Sequence, residues 1–178
     1  VRTDRGHGDL LEEFRRRSHR LQSCLEGTNA GAWEWNVQTG EMHVELQATI
    51  QRLRDQIDAI PAERKALLDQ VVRYVGSRRL AGEEAQLTFI CTHNSRRSQM
   101  GQLWAAAAAA HYGVAGVKTF SGGTEVTAFN PRAVAAMKRA GFAFGDVAEA
   151  STNPHYVVHY ATDAPAIECF SKVYDDPF

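Results

Sequence analysis

A short run of residues in the second half of the chain fixes the order of its expected secondary structure. A mostly apolar segment, Leu87–Ile90, leads into Cys91. Arg97 and Ser98 follow, and Gln99–Ala110 are mostly strong helix formers. Threonine, phenylalanine and isoleucine favour a strand before the cysteine, and the alanine-rich segment favours a helix after the arginine. The pattern therefore predicts a strand, a tight polar loop and a helix, with Cys91 at the first junction.

The spacing from Cys91 to Arg97 suits a loop that holds a tetrahedral anion. The backbone N–H groups of residues 92–97, which we call the anion loop, can converge on one oxyanion at the start of a helix. Arg97 can add a planar fork of donors, and Ser98 can donate to the sulfur of Cys91. A helix N-terminus and a guanidinium also favour the thiolate, so we expect Cys91 to be a nucleophile. The alternative, an inert buried thiol, leaves the polar loop residues unexplained.

These residues resemble the signature loop of the low-molecular-weight protein tyrosine phosphatases and the related thioredoxin-linked arsenate reductases. Cys91, Asn94, Arg97 and Ser98 stand where that family has its nucleophile, its loop-bracing asparagine, its anion-binding arginine and its thiolate-stabilising serine. The resemblance also implies that the loop residues bind the substrate anion. They are Thr92, His93, Asn94, Ser95 and Arg96.

The likeness covers about residues 84–178. Two further segments resemble the family, and two positions in the loop differ from its usual pattern. Ser121–Thr124 and Asn130–Gly141 resemble the strand end and the helix that follow the loop in the family. His93 stands where the family usually has glycine, so it either tightens the loop or lines its mouth. Arg96 stands where the family usually has a second cysteine, which is a redox partner in some members. The loss of that cysteine counts against a reductase.

The resemblance implies a cysteine-dependent phosphatase that hydrolyses phosphotyrosine-type monoesters through a phosphocysteine, with no metal and no other cofactor. The first alternative is an arsenate reductase, which needs a resolving thiol from Cys169 or an external thiol reductant. The second is a non-catalytic fragment that binds oxyanions. The expected ligands are accordingly phosphate, arsenate or a substrate that carries phosphotyrosine.

The general acid has two candidate positions. The family uses an aspartate followed by proline near the end of the domain, and Asp176 precedes Pro177. This match comes early, because we expect one more strand and a terminal helix before the domain closes. We therefore expect a chain truncated at its C-terminus, with the true acid beyond Phe178, and we keep Asp176 as the second candidate for the catalytic acid.

The predicted architecture is α/β, with an open parallel sheet flanked by helices and preceded by a helical hairpin. Residues 1–43 resemble the opening of a PAS sensor domain in truncated form, and residues 44–82 carry two runs of apolar residues at helical spacing. Residues 83–178 form the phosphatase-like domain, incomplete at its end. Its predicted elements are strands Leu87–Ile90, Val117–Ser121 and Ile167–Ser171, and helices Ser98–Tyr112 and Pro131–Ala140.

Composition excludes several other classes of protein. A formal net charge of −1 gives no reason to expect nucleic acid or membrane partners. No apolar run is long enough to span a bilayer. The 3 cysteines are too few and too scattered for a disulfide framework or a zinc site. A reactive thiol must stay reduced, so we expect a cytoplasmic protein.

Overall fold

The computed structural model describes residues 44–145 and 151–176, which all lie in one compact unit, Gln38–Phe178. The expected PAS-like segment 1–43 lies outside the described residues. Within the described ranges, no helix combines the length and the apolar character that crossing a membrane requires.

Two helices precede the first strand, at the positions that the periodicity predicts. Helix α1 spans Val44–Arg54 and helix α2 spans Ala62–Leu80, with a 3₁₀ turn at Ile57–Ala59 between them. Pro61 stands just before α2, where its fixed φ and missing N–H suit a helix start. Two α1 side chains, Leu46 and Ile50, are buried. The hairpin that we expected from these two helices stays a prediction.

Helix α2 is unusual because none of its side chains is buried. The Tyr74 hydroxyl lies 3.3 Å from both the backbone N and O of Gln86, and Arg78 Nε donates to the Glu84 carbonyl at 3.1 Å. The apolar stripe predicted for this helix stays largely in contact with solvent. Its exposed members are Leu67, Leu68, Val71 and Val72.

The predicted strand–loop–helix–strand unit is present. Strand β1 spans Ala85–Cys91, helix α3 spans Arg97–His111 and strand β2 spans Val117–Gly123. The two strands are parallel and run in register from the Ala85–Val117 pair to the Cys91–Gly123 pair. Helix α3 lies close over β1, since a Cβ on Gly101 would be 2.6 Å from the Phe89 ring. Cys91 and Gly123 thus lie together at the carboxyl edge of the sheet.

The remaining elements form a second sheet. Helix α4 spans Pro131–Arg139, and strands β3 (Ala143–Phe144), β4 (Tyr156–His159) and β5 (Ile167–Cys169) form an antiparallel sheet in that order. The Asn130 side chain accepts from the N–H of Arg132 and caps α4. A mixed α/β fold with a short two-stranded parallel sheet is compatible with the predicted fold type.

The prediction that Ile167–Ser171 adds a third strand to the parallel sheet is wrong. That segment pairs antiparallel with β4, with Tyr156 opposite Cys169. The connection from β4 to β5 comprises only residues 160–166, whereas a parallel crossover needs roughly a dozen residues or more. The chain reaches the parallel sheet only afterwards, where Val173 forms a single parallel bridge to Gly123.

The core lies between α1, α3, α4 and the antiparallel sheet. Its larger members are Leu46, Leu103, Phe129, Met137, Phe142 and Val158. Gly141 fixes the approach of α1 to this core, because it has φ of +101° and a Cβ there would be 2.3 Å from the backbone N of Leu46. Both observations require glycine at this position.

We expect the Gly141→Ala substitution to lower the free energy of unfolding by roughly 2 kcal/mol or more, since the left-handed backbone alone costs an L-residue about 1–2 kcal/mol. Urea denaturation followed by circular dichroism measures this loss. The matched control is Gly76→Ala in α2, where a new Cβ meets nothing within 4 Å. That change should raise stability by roughly 0.5–1 kcal/mol. Equal effects at both glycines would contradict the assigned contact with α1.

Candidate functional site

The site is built where β1 ends and α3 begins. Cys91 is the last residue of β1, residues 92–96 form the turn, and Arg97 is the first residue of α3. Ligands of parallel sheets bind at the carboxyl ends of the strands, and Cys91 lies at that edge opposite Gly123. The local sequence produces this because an apolar strand runs directly into polar, turn-forming residues and then into helix formers.

The carbonyls of the anion loop are held by groups outside it. The Thr92 carbonyl accepts from the N–H groups of Thr124 and Glu125 at 2.8 and 2.9 Å. The Ser95 carbonyl accepts from the N–H of Asn130 at 2.8 Å. In a trans peptide the C=O and the next N–H point in opposite directions. Outward-facing carbonyls therefore turn the N–H groups of the loop inward.

Two further carbonyls of the loop are held by side chains. The His93 carbonyl accepts from the hydroxyl groups of Ser171 and Thr127, at 2.8 and 3.0 Å. The Asn94 carbonyl accepts from Gln99 Nε2 at 3.2 Å. The peptides that follow these two carbonyls carry the N–H groups of Asn94 and Ser95. Both N–H groups donate to the sulfur of Cys91.

Asn94 is the centre of the loop and is fully buried. Its φ is +42°, in the left-handed region, which asparagine adopts more readily than most residues. The Lys172 backbone N–H donates to Asn94 Oδ1 at 3.0 Å, which fixes the orientation of the side-chain amide. Asn94 Nδ2 is then free to donate to Ser98 Oγ at 2.8 Å. The amide thus connects the loop, the start of α3 and the segment after β5.

This amide sets the direction of the next hydrogen bond. Ser98 Oγ lies 3.0 Å from the sulfur of Cys91 and is buried. Because Ser98 Oγ already accepts from Asn94, the serine proton is available for the sulfur. A hydroxyl that donates to sulfur favours the thiolate over the thiol.

The balance of these effects lowers the pKa of Cys91. Burial raises the pKa of the thiol, and the hydrogen bonds from the Ser98 hydroxyl and from the backbone N–H groups of Ser98, Ser95 and Asn94 together outweigh burial and bring the pKa to about 7. From the sequence we expected Arg97 to contribute to this lowering. The groups that lower the pKa are instead the Ser98 hydroxyl and the backbone N–H groups of Ser98, Ser95 and Asn94.

Gly123 packs directly against the backbone of the anion loop. A Cβ at this position would be 2.6 Å from the Asn94 N and from the Thr92 O. Gly123 also donates to the Lys172 carbonyl at 2.9 Å and accepts from the N–H of Tyr174 at 2.9 Å. The end of β2 therefore joins the anion loop on one side and the segment after β5 on the other.

Both arginines of the loop are exposed at the N-terminus of α3. Arg96 is the residue before the helix, and Arg97 is its first residue. Within the described ranges, neither guanidinium forms an ion pair or a hydrogen bond. Both residues thus lie at the positive end of the α3 dipole, where the turn that follows Cys91 enters the helix.

His93 pairs with a residue that the sequence analysis did not select. Its Nε2 lies 3.3 Å from Glu125 Oε2, and both side chains are more than half exposed. Glu125 comes to this position because its backbone N–H donates to the Thr92 carbonyl. His93 therefore lies at the surface of the site, where we expected it either to tighten the loop or to line its mouth.

Asp176 follows the segment that supports the loop. Its N–H donates to the Val173 carbonyl at 3.3 Å, in the turn after the bridge between Val173 and Gly123. Burial lowers the pKa of Lys172, and the carboxylate of Asp176 acts against this effect. Asp176 is thus close to Lys172, which contacts Asn94 through its backbone. The role of Asp176 as an acid stays a prediction.

The second cysteine of this region, Cys169, is fully buried in the core. Burial raises its pKa to about 12. A thiol that stays protonated and out of contact with solvent is a poor nucleophile and a poor resolving partner. No group of three or more potential ligands for a metal ion occurs among the residues that the structure describes.

A comparison with protein-family models matches residues 86–157 to the low molecular weight phosphotyrosine protein phosphatase family. The matched segment is roughly two fifths of the chain. It runs from the second residue of β1 through the anion loop, α3, β2, α4 and β3 to the start of β4. It does not include residues 1–43, and no finding supports their resemblance to a PAS domain. Searches of curated proteins and of solved structures gave no match.

The structure adds residues to the site that sequence reasoning missed. The additional hydrogen-bonding groups come from Gln99, Thr127, Ser171 and the backbone of Lys172. The position of Gln99 gave a partial indication of its role, because it directly follows Ser98 in the first turn of the predicted helix. Ser171 and Lys172 are more than seventy residues from the loop and gave none.

We expect iodoacetamide to alkylate Cys91 with a half-maximal rate near pH 7, well below the ~8.5 of a free thiol. Peptide mapping by mass spectrometry separates Cys91 from the other cysteines. Inorganic phosphate should slow the reaction by occupying the loop. Ser98→Ala should raise the midpoint, because it removes the hydroxyl that donates to the sulfur. A wild-type midpoint at or above 8.5 would show that the loop does not stabilise the thiolate.

Proposed function

We propose that this protein is a cysteine-dependent phosphatase that hydrolyses phosphotyrosine-type monoesters. The observation that carries the proposal is the set of donors on the sulfur of Cys91, namely the Ser98 hydroxyl and three backbone N–H groups of residues 94–98. The match of residues 86–157 to a family of phosphotyrosine phosphatases supports the same conclusion. The substrates that we propose are phosphotyrosine side chains of proteins.

In the first step the Cys91 thiolate attacks phosphorus in line with the ester oxygen. An S–P bond forms while the P–O bond to the organic group breaks, and a general acid gives its proton to the departing oxygen. Backbone N–H groups of the anion loop and the Arg97 guanidinium hold the three equatorial oxygens. The backbone donors are already oriented, because groups outside the loop hold its carbonyls, so they stabilise the transition state without reorganisation. The exposed guanidinium of Arg97 closes on the anion when it binds.

In the second step a water molecule attacks phosphorus and the S–P bond breaks. The sulfur leaves as a thiolate, which the Ser98 hydroxyl stabilises by the hydrogen bond that it already makes in the resting protein. The water gives a proton to the conjugate base of the general acid. Inorganic phosphate leaves and the starting state is restored. The sulfur must remain reduced throughout, so we propose a cytoplasmic or other reducing compartment.

The alternative, arsenate reduction, is less well supported. It needs a thiol to resolve the adduct on Cys91, and the loop has Arg96 where a second cysteine would stand. Burial and a raised pKa make Cys169 unsuitable for this role. An external thiol reductant would be required. Thiol-dependent production of arsenite from arsenate would demonstrate this activity.

We expect Arg97→Lys to lose far more activity than a change that conserves charge usually does. Lysine keeps the positive charge but cannot offer two parallel donors to two oxygens of the anion. The loss should be on the order of 10²–10³ in kcat/KM for p-nitrophenyl phosphate, as for other oxyanion donors. Arg139→Lys in α4 is the matched control, because this arginine is exposed and lies outside the site, and it should change the rate little. If the Arg97 variant keeps most of the activity, its assignment as the anion-binding arginine is wrong.

Substrates that differ in leaving group identify the general acid. If neither Asp176 nor another residue of this chain acts as the acid, p-nitrophenyl phosphate should be cleaved much faster than phosphotyrosine, whose phenol has a pKa of about 10. General acid catalysis is typically worth 10²–10⁴-fold, and a poor leaving group needs it most. Asp176→Asn should then change little. Asp175→Asn is the control, since it removes the same charge one position earlier.

The opposite result would assign the acid to Asp176. The rate of the unmodified protein would then depend little on the pKa of the leaving group. Asp176→Asn would make that dependence steep, and Asp175→Asn would not.

A further inference from the structure

Ser171 lies far along the chain from the anion loop but contacts it directly. Its side chain is 1% exposed, and its hydroxyl donates to the carbonyl of His93 at 2.8 Å. The direction of this bond is defined, because the Ser171 oxygen already accepts from the backbone N–H of Thr127 at 2.8 Å. The hydroxyl proton is therefore available for the His93 carbonyl.

The backbone of Ser171 is also fixed. Asn153 accepts from the Ser171 N–H at 3.0 Å and donates to the Ser171 carbonyl at 2.8 Å. Two hydrogen bonds to one amide side chain leave the serine little freedom to turn. The hydroxyl is thus presented to the loop from a rigid support.

The bond from Ser171 acts on one peptide group, the one between His93 and Asn94. If this peptide turned over, its carbonyl would leave Ser171 and its N–H would leave the sulfur of Cys91. The left-handed φ of Asn94 makes the observed orientation less favourable for the backbone itself, so it must be held by contacts. Thr127 supplies the second of these contacts, since its hydroxyl donates to the same carbonyl at 3.0 Å.

We propose that Ser171, assisted by Thr127, is a positioning residue that holds the His93–Asn94 peptide with its N–H toward Cys91. The part of Ser171 and Thr127 in turnover rests on the proposed phosphatase function. Their effect on the ionisation of Cys91 does not depend on that function. Neither residue touches the reacting atoms. Both act through the backbone of the loop.

The test compares two exposed threonines that make the same kind of bond to neighbouring carbonyls. Thr127 donates to the His93 carbonyl, and the N–H that follows this carbonyl donates to the sulfur. Thr124 donates to the Thr92 carbonyl at 3.2 Å, and the N–H that follows belongs to His93, which is not among the donors to the sulfur. Thr127→Val and Thr124→Val are therefore a matched pair of variants.

The measured quantity is the pH midpoint of Cys91 alkylation by iodoacetamide in the full chain, with circular dichroism as the check on folding. We expect Thr127→Val and Ser171→Ala each to raise the midpoint, and the double variant to raise it by roughly one unit, as for loss of one hydrogen bond to an ionised group. Thr124→Val should leave the midpoint unchanged. Ser171→Thr, which keeps the hydroxyl, should have a midpoint close to that of the wild-type protein.

Two outcomes would overturn the assignment. One is a folded double variant with the wild-type midpoint. The other is an equal shift in the Thr124 and Thr127 variants, which would indicate a general disturbance of the loop. If Ser171→Ala does not fold, the comparison of the two threonine variants decides alone. Alkylation of Cys91 does not require turnover. A protein that releases no phosphate would therefore refute the proposed phosphatase function, and the pH midpoints of alkylation would still test the positioning role of Ser171.

Discussion

The chemistry of this site depends on the direction in which two peptide groups point. The peptides before Asn94 and before Ser95 direct their N–H groups at the sulfur of Cys91, although burial alone would keep that thiol protonated. Each peptide is held by a donor on the far side of its carbonyl, from Ser171 in one case and from Gln99 in the other. Donors that are fixed before the anion arrives need no reorganisation during the reaction.

The fold is arranged to bring these donors together. Parallel pairing puts Cys91 beside Gly123, and the absence of a side chain at Gly123 lets the anion loop lie against the end of β2. The same glycine exchanges hydrogen bonds with the backbone of Lys172 and Tyr174, which brings the segment after β5 to the back of the loop. The end of the parallel sheet and the segment after β5 therefore meet behind the anion loop, where the proposed chemistry occurs.

The parts of this arrangement that could be predicted are the local ones. The strand before Cys91 and the helix from Arg97 each follow from the residues of their own segment, and the contact between Ser98 and the sulfur joins residues only seven positions apart. The sheet that β5 joins was predicted wrongly, because the strand pattern of Ile167–Ser171 does not encode its partner. Strand β3 has only two residues, too few to give a periodic signal. The hydroxyl of Ser171 has no local pattern, because its partner is 78 positions away.

The polar network around the loop is obtained at some cost in stability. Gln99 Nε2 lies within hydrogen-bond distance of three acceptors, the Asn94 carbonyl, Asn94 Oδ1 and the Phe170 carbonyl, although an amide nitrogen has only two protons. Its Oε1 is buried and has no partner among the described residues. Such an atom costs about 1–3 kcal/mol, which an apolar side chain at this position would avoid. An apolar residue would also leave the Asn94 carbonyl without its donor, and the Ser95 N–H would then be free to turn away from the sulfur. The buried Gln99 is therefore better explained by its effect on the Ser95 N–H, which it keeps directed at the sulfur of Cys91, than by any gain in the stability of the core.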